Sequence, residues 1–190
     1  MYFTIYLFLV FLILYVYTPQ TGGRGYKGEY TFYIYPSEFK DEMLTIIRQG
    51  RVWPVVFTHV KKPENADFTI KVVPREQMDS IGLTPEKAEY YPNTKKRIYF
   101  SYTVNEQNIY IDEENWRYGV DESGLALKTY RQYVLFHEIG HALGYDHQPC
   151  LKKKCPIMYQ MTRGPPVGFG QDGVDLGPVN LKTLKTLKIV

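Results

Sequence analysis

His137, Glu138, His141, Gly144 and His147 fall in the order H-E-x-x-H-x-x-G-x-x-H. Two histidines four residues apart on a helix lie about 40° from one another around its axis and about 6 Å along it, so both imidazoles reach one cation. Glu138 sits on the flank of the same face. There it can touch a water on the metal without taking a coordination position itself. The third histidine, three residues beyond a glycine, cannot stay on the helix, and Gly144 lets the chain turn back because glycine takes a left-handed conformation at little steric cost. Three protein ligands and an open fourth position describe a catalytic zinc (Zn2+) site. The expected metal ligands are His137, His141 and His147, and the expected catalytic group is Glu138.

The surroundings of these residues decide against chance. From Tyr133 to Leu143 the only strongly polar side chains are the two histidines and the glutamate. A helix apolar nearly all round is buried. Burying two imidazoles and a carboxylate without partners costs several kcal/mol, and a bound cation is the simplest way to satisfy them. The chain has four histidines, and the one outside the motif, His59, reads as a surface or strand residue.

Downstream lies Cys155-Pro156-Ile157-Met158-Tyr159. A methionine alone is usually core filler. Behind the histidine motif, however, Ile157-Met158-Tyr159 resembles the methionine-containing turn of the metzincin zinc peptidases. It is most similar to the matrixin group, while Tyr130-Arg131-Gln132-Tyr133 and Gln160-Met161-Thr162 resemble a metzincin-like domain of unknown function in secreted actinobacterial proteins. The resemblance is specific between about Tyr130 and Gly164 and general from about Tyr30 onward. It implies an α+β, zincin-like fold with a mixed twisted β-sheet, a long active-site helix, the methionine turn and a C-terminal helix. It also implies a zinc-dependent endopeptidase acting on a peptide or protein substrate. Astacin-like members place a tyrosine ligand two residues after the turn methionine. Here that position is Gln160, so no tyrosine ligand is expected. Matrixins are held inactive by a long propeptide with a cysteine, for which residues 18–28 offer neither room nor thiol, so control is expected to lie elsewhere.

The elements that must position the site follow from periodicity. Glu29 to Tyr35 alternates as a strand, and a helix follows Pro36-Ser37 through Gln49, with Phe39, Met43, Ile46 and Ile47 on its apolar face and Gly50 as its stop. Arg51 to Val60 and Ala66 to Val73 read as the next strands. This order implies a mixed sheet with a helix packed on it. Arg75 to Lys96 reads as loop with a short helix at Pro85 to Glu89. Arg97 to Val104 reads as a strand, which the resemblance implies is the sheet edge that an extended peptide pairs with, and Asn108 to Trp116 reads as another strand. The active-site helix is expected to begin near Gly124 to Lys128, and Pro178 to Val190 reads as a terminal amphipathic helix. Asp112, Glu113 and Glu114 are either calcium (Ca2+) ligands or, by preference, a solvated strand end.

Length and composition bound the rest. The 190 residues suffice for one domain with a proper core once an apolar start is set aside. The expected division is 1–17 as membrane anchor or signal peptide, 18–28 as flexible tether and 29–190 as the zinc peptidase domain. A net charge of +3, with basic residues scattered, does not point to nucleic acid. Met1 to Tyr17 carries no charged side chain, and with no basic residue before it and bulky residues near a cut site it reads as an uncleaved, single-pass signal-anchor. The nearest basic residues, Arg24 and Lys27, lie after this span, where the positive-inside rule would put the catalytic domain in the cytoplasm, but the resemblance and the cysteine pair imply the extracellular or lumenal side, the alternative being secretion after cleavage. Cys150 and Cys155 close a small disulfide ring in an oxidising compartment, with free thiols or extra metal ligands as alternatives. Two other functional readings stand beside the endopeptidase. One is a membrane-tethered zinc-binding or structural module without turnover, and the other a hydrolase of a narrow, non-protein peptide substrate.

Overall fold

A computed structural model describes residues 28–78, 89–91, 96–98 and 100–181. In chain order the strands are β1 (Glu29–Tyr35), β2 (Val56–His59), β3 (Phe68–Val73), β4 (Glu89–Tyr91), β5 (Lys96–Ile98), β6 (Tyr102–Val104) and β7 (Asn108–Asp112). The helices are α1 (Lys40–Gln49), α2 (Arg75–Met78), α3 (Glu113–Tyr118) and α4 (Leu127–Ala142). The main sheet has the order β2-β1-β3-β7-β6, and β4 and β5 form a separate antiparallel pair. β1 runs parallel to both β2 and β3, and β3 parallel to β7. Only β6 reverses direction, pairing Thr103 with Ile109 on β7. The architecture is α+β with a mixed sheet, as expected.

Alternation sets the register. Tyr30, Phe32 and Ile34 of β1, Phe68, Ile70 and Val72 of β3, and Ile109 and Ile111 of β7 are all buried. A slip of one residue would turn every one of them outward, at about 2 kcal/mol for each large side chain exposed. Phe39, Met43, Leu44 and Ile47 of the first helical segment join the same apolar cluster, together with Tyr130, Val134, Leu135 and Ile139 of α4. α4 packs against β6 and β7 and also touches α1. The helix that carries the histidines is therefore part of the core.

Several boundaries differ from the sequence reading, each for a local reason. The second strand covers Val56–His59 only, because Trp53 leaves the sheet and sits 4% exposed with its Nε1 donating to Phe136 O of α4 at 2.9 Å. The stretch expected as one strand from Arg97 to Val104 supplies β5 and β6, which belong to different sheets. The strand expected to reach Trp116 stops at Asp112, whose side chain accepts from Asn115 N at 2.8 Å and so caps α3. The apolar start and tether up to residue 27, the short helix expected before Glu89 and the terminal helix beyond Leu181 lie outside the described residues. Among the described residues no helix is long and apolar enough to cross a membrane.

Asp112 also revises the expectation for the acidic run. It is fully buried, not a solvated strand end, and Arg75 donates to it from Nε at 3.1 Å and from Nη2 at 2.9 Å. Arg75 also pairs with Glu114, and Glu113 pairs with Arg117 at 2.7 Å. Arg75 and Arg117 thus engage all three carboxylates of the run. Breaking a buried ion pair leaves one charge unsatisfied. Asp112→Ala is expected to lower unfolding stability by about 3 kcal/mol through the lost pair and the lost helix cap, as read from urea denaturation. A loss below about 1 kcal/mol would show that the pair carries no structural weight.

Candidate metal centre

α4 ends where the sequence motif requires a turn. Gly144 has φ +84°, its N–H donates to His141 O at 2.8 Å, and Tyr145 N donates to Gly140 O at 3.0 Å. This pair of bonds closes the helix in a left-handed cap that a residue with a Cβ would strain. The chain then doubles back and brings His147 over the helix. The imidazole rings of His137, His141 and His147 lie 4.6 to 5.2 Å apart by centroid, and one ligand atom from each falls within 4.8 Å of the others.

The other ring nitrogens are already committed. His137 Nδ1 lies 2.8 Å from Ile157 O, and His141 Nδ1 lies 2.8 Å from Tyr145 O. A carbonyl only accepts, so each Nδ1 carries the hydrogen and each Nε2 presents a lone pair. The Nε2 atoms of His141 and His147 approach to 3.1 Å. With a lone pair on His141 Nε2, that contact is satisfied either by a hydrogen on His147 Nε2 or by a cation held between the two nitrogens. Donor type, tautomer and convergence together fit zinc, which takes three histidines and leaves one position open.

Met158 lies beneath the site, fully buried. A Cβ on Gly140 would lie 2.3 Å from Met158 Sδ and 2.5 Å from Trp53 Cζ2, so the glycine inside the helix exists for that close approach. The Ile157 carbonyl that holds His137 belongs to the same turn, and Gln148 N donates to Met158 O at 2.9 Å, anchoring the residue after His147. Tyr133 ties the far side, with its hydroxyl donating to Tyr159 O at 3.0 Å and accepting from Met161 N at 2.7 Å. The Tyr159 hydroxyl donates to Gly164 O at 3.0 Å. Cys150 and Cys155 are joined, with Cα atoms 4.7 Å apart.

Glu138 is buried beside the histidines, and Thr103 Oγ1 of β6 donates to its Oε2 at 2.7 Å. Burial pushes this carboxyl up to about 8, against the opposing pull of the Thr103 bond. Burial pushes all three histidines down, with His147 lowered to about 4, assisted by the positive charges of its neighbours. The site opens into a cleft of about 600 Å³ whose walls include Ser101, Tyr102, Thr103, Tyr133, Gln160 and Arg163. His59 stays away on β2, packed edge-on to Phe32 and stacked on Tyr33.

Comparison with known proteins agrees with this geometry at a coarse level. The family model described as "Protein of unknown function (DUF3152)" matches residues 48–165, more than half of the chain. The chain belongs to the DUF3152 family. The matched span contains all three histidines, Glu138 and Met158. The DUF3152 chain is also 25% identical over 137 residues to Matrix metalloproteinase-B of Caenorhabditis elegans, which covers 68% of this chain and 26% of that protein. It therefore spans about a quarter of that relative's length.

Sequence reasoning missed Thr103, Gly140 and Trp53 as parts of the site. A glycine inside an otherwise helical pattern was the available signal for Gly140, whereas nothing in the pattern tied Thr103 or Trp53 to α4.

Proton release on zinc binding tests this electrostatic arrangement. At pH 7 the histidines are already neutral and the metal-free Glu138 holds its proton, so a dication beside it should expel that proton. Calorimetry in buffers of different ionisation enthalpy is expected to show about one more proton released by the parent than by Glu138→Gln. The metal-free fold should respond to pH in the matching sense. It loses stability as pH rises from the ordinary Glu value toward about 8, because only the unfolded chain sheds the Glu138 proton, and also as pH falls from the ordinary His value toward about 4.

Proposed function

We propose that this chain is a zinc-dependent endopeptidase of the metzincin type, with His137, His141 and His147 holding the metal and Glu138 as general base. The observation that carries the reading is the joint geometry of three converging imidazoles and one buried carboxyl group lining an open cleft. A purely structural zinc site closes its coordination with a fourth protein ligand and has no use for a carboxylate beside an open position. The partial likeness to a matrix metalloproteinase supports the same reaction class.

Bound zinc supplies a Lewis acid that polarises a peptide carbonyl and brings the pKa of water toward neutrality. Glu138 accepts a proton from the attacking water and passes it to the leaving amide nitrogen as the C–N bond breaks. Thr103 holds Oε2, so the carboxylate enters the reaction in one orientation. β6, the last strand of the sheet order among the described residues, lines the cleft, the position from which a strand pairs with an extended peptide. The Cys150–Cys155 disulfide supports action in an oxidising compartment outside the cytosol.

Mass spectrometry of a mixed peptide library, with Glu138→Gln as control, tests the reading. The parent is expected to cut while Glu138→Gln, carrying equal zinc, loses at least about 100-fold in rate. If neither protein cuts while both hold zinc, the endopeptidase reading fails. A finer outcome is expected for Thr103. Thr103→Val should lower kcat by about 10-fold with KM little changed, and Thr103→Ser should restore most of it, since the hydroxyl acts on the base and not on the substrate.

A further inference from the structure

The disulfide ring and the glycine-rich segment after the methionine turn run side by side. Gly170 N donates to Lys152 O at 2.9 Å, Asp172 N to Lys153 O at 2.8 Å, Cys155 N to Gly173 O at 2.8 Å, and Asp175 N to Cys155 O at 2.8 Å. The platform is held covalently on one side by Cys150–Cys155 and folded on the other by a turn in which Phe169 N donates to Pro166 O. On it, large apolar side chains face solvent: Leu151 is 67% exposed, Phe169 39%, and Val167 at the tip of the turn 101%. Lys152, Lys153 and Lys154 are exposed beside them, and among the described residues no ion pair holds any of the three. None of these six residues lines the cleft.

A single exposed apolar residue means little. Three of them on two stitched segments, alternating with three consecutive cations, form an amphipathic projection. We propose that this face docks on an anionic lipid surface. Leu151, Val167 and Phe169 enter the boundary between headgroups and acyl chains while Lys152, Lys153 and Lys154 meet lipid phosphates and carboxylates. Lys152, Lys153 and Lys154 outnumber the exposed acids of the stitched segment, Asp172 and Asp175, and this surplus selects an anionic partner, since each lysine near such a surface strengthens attraction about five-fold. The convex tip and small number of residues suit a bilayer, whereas a stable protein contact needs about 800 Å² on each partner. The disulfide holds the loop in place, so little ordering entropy opposes the contact. Docking does not depend on turnover, and the Glu138→Gln protein is expected to dock like the parent.

Hydrogen exchange of the full chain tests the proposal, compared on vesicles of phosphatidylcholine alone and of equal parts phosphatidylcholine and phosphatidylserine. The readout is local to the face, so an N-terminal apolar run that held the chain on both kinds of vesicle would not decide it. Amides in 150–155 and 165–170 are expected to slow several-fold only on the mixed vesicles, with the effect removed by high salt. Lys152→Gln/Lys153→Gln/Lys154→Gln and, separately, Leu151→Ser/Val167→Ser are expected to abolish the slowing while zinc content stays at the parent value. Equal slowing on neutral vesicles, or its persistence in either variant, overturns the proposal. So does equal protection by soluble heparin with the apolar variant behaving as the parent, which would assign the face to a soluble polyanion.

Discussion

Two backbone carbonyls hold the histidine cluster in one arrangement. Ile157 O and Tyr145 O each take the Nδ1 hydrogen of a histidine, which fixes the tautomer, aims the ring and leaves Nε2 as the donor. Neither carbonyl belongs to the regular part of α4. One comes from the turn that ends the helix and the other from the methionine turn, so the irregular segments around α4 do as much for the site as the helix does. Their placement in turn depends on Gly144 for the helix stop and on Gly140 for the approach of Met158.

Core and site share one helix. Tyr130, Val134, Leu135 and Ile139 pack α4 into the apolar cluster, while His137 and Glu138 on the same helix are about as deeply buried. Trp53 serves both, stacking on Tyr145 at 5.2 Å and bonding to Phe136 O, so the cap that orients His141 rests on a side chain from before β2. A protein built this way has little slack between packing and chemistry. A void under Met158 or Trp53 would shift ligands by the same fraction of an ångström that it shifts the core.

The sequence exposed the chemistry more fully than the architecture. Three histidines, a glutamate and a glycine at fixed spacing imply one cation because only helical geometry followed by a turn brings them together, and the described structure does so. β1 and α1 were also legible, since their periodicity is long and clean. The reading ran out where one side chain decided a boundary from far away. Asp112 ended a strand by capping α3 and binding Arg75, and Trp53 drew residues out of the second strand toward α4. The Thr103 bond to Glu138 spans 35 residues and two elements, and no local pattern records such a contact.

The ring closed by Cys150 and Cys155 sits between His147 and Met158, on the stretch of chain that joins the third ligand to the floor of the site. Without the cross-link that stretch would sample many more arrangements, and holding His147 over the helix would cost more chain entropy. The ring shortens the path the chain can explore. The ring therefore couples the position of His147 to that of the methionine turn through a covalent link and not through packing alone.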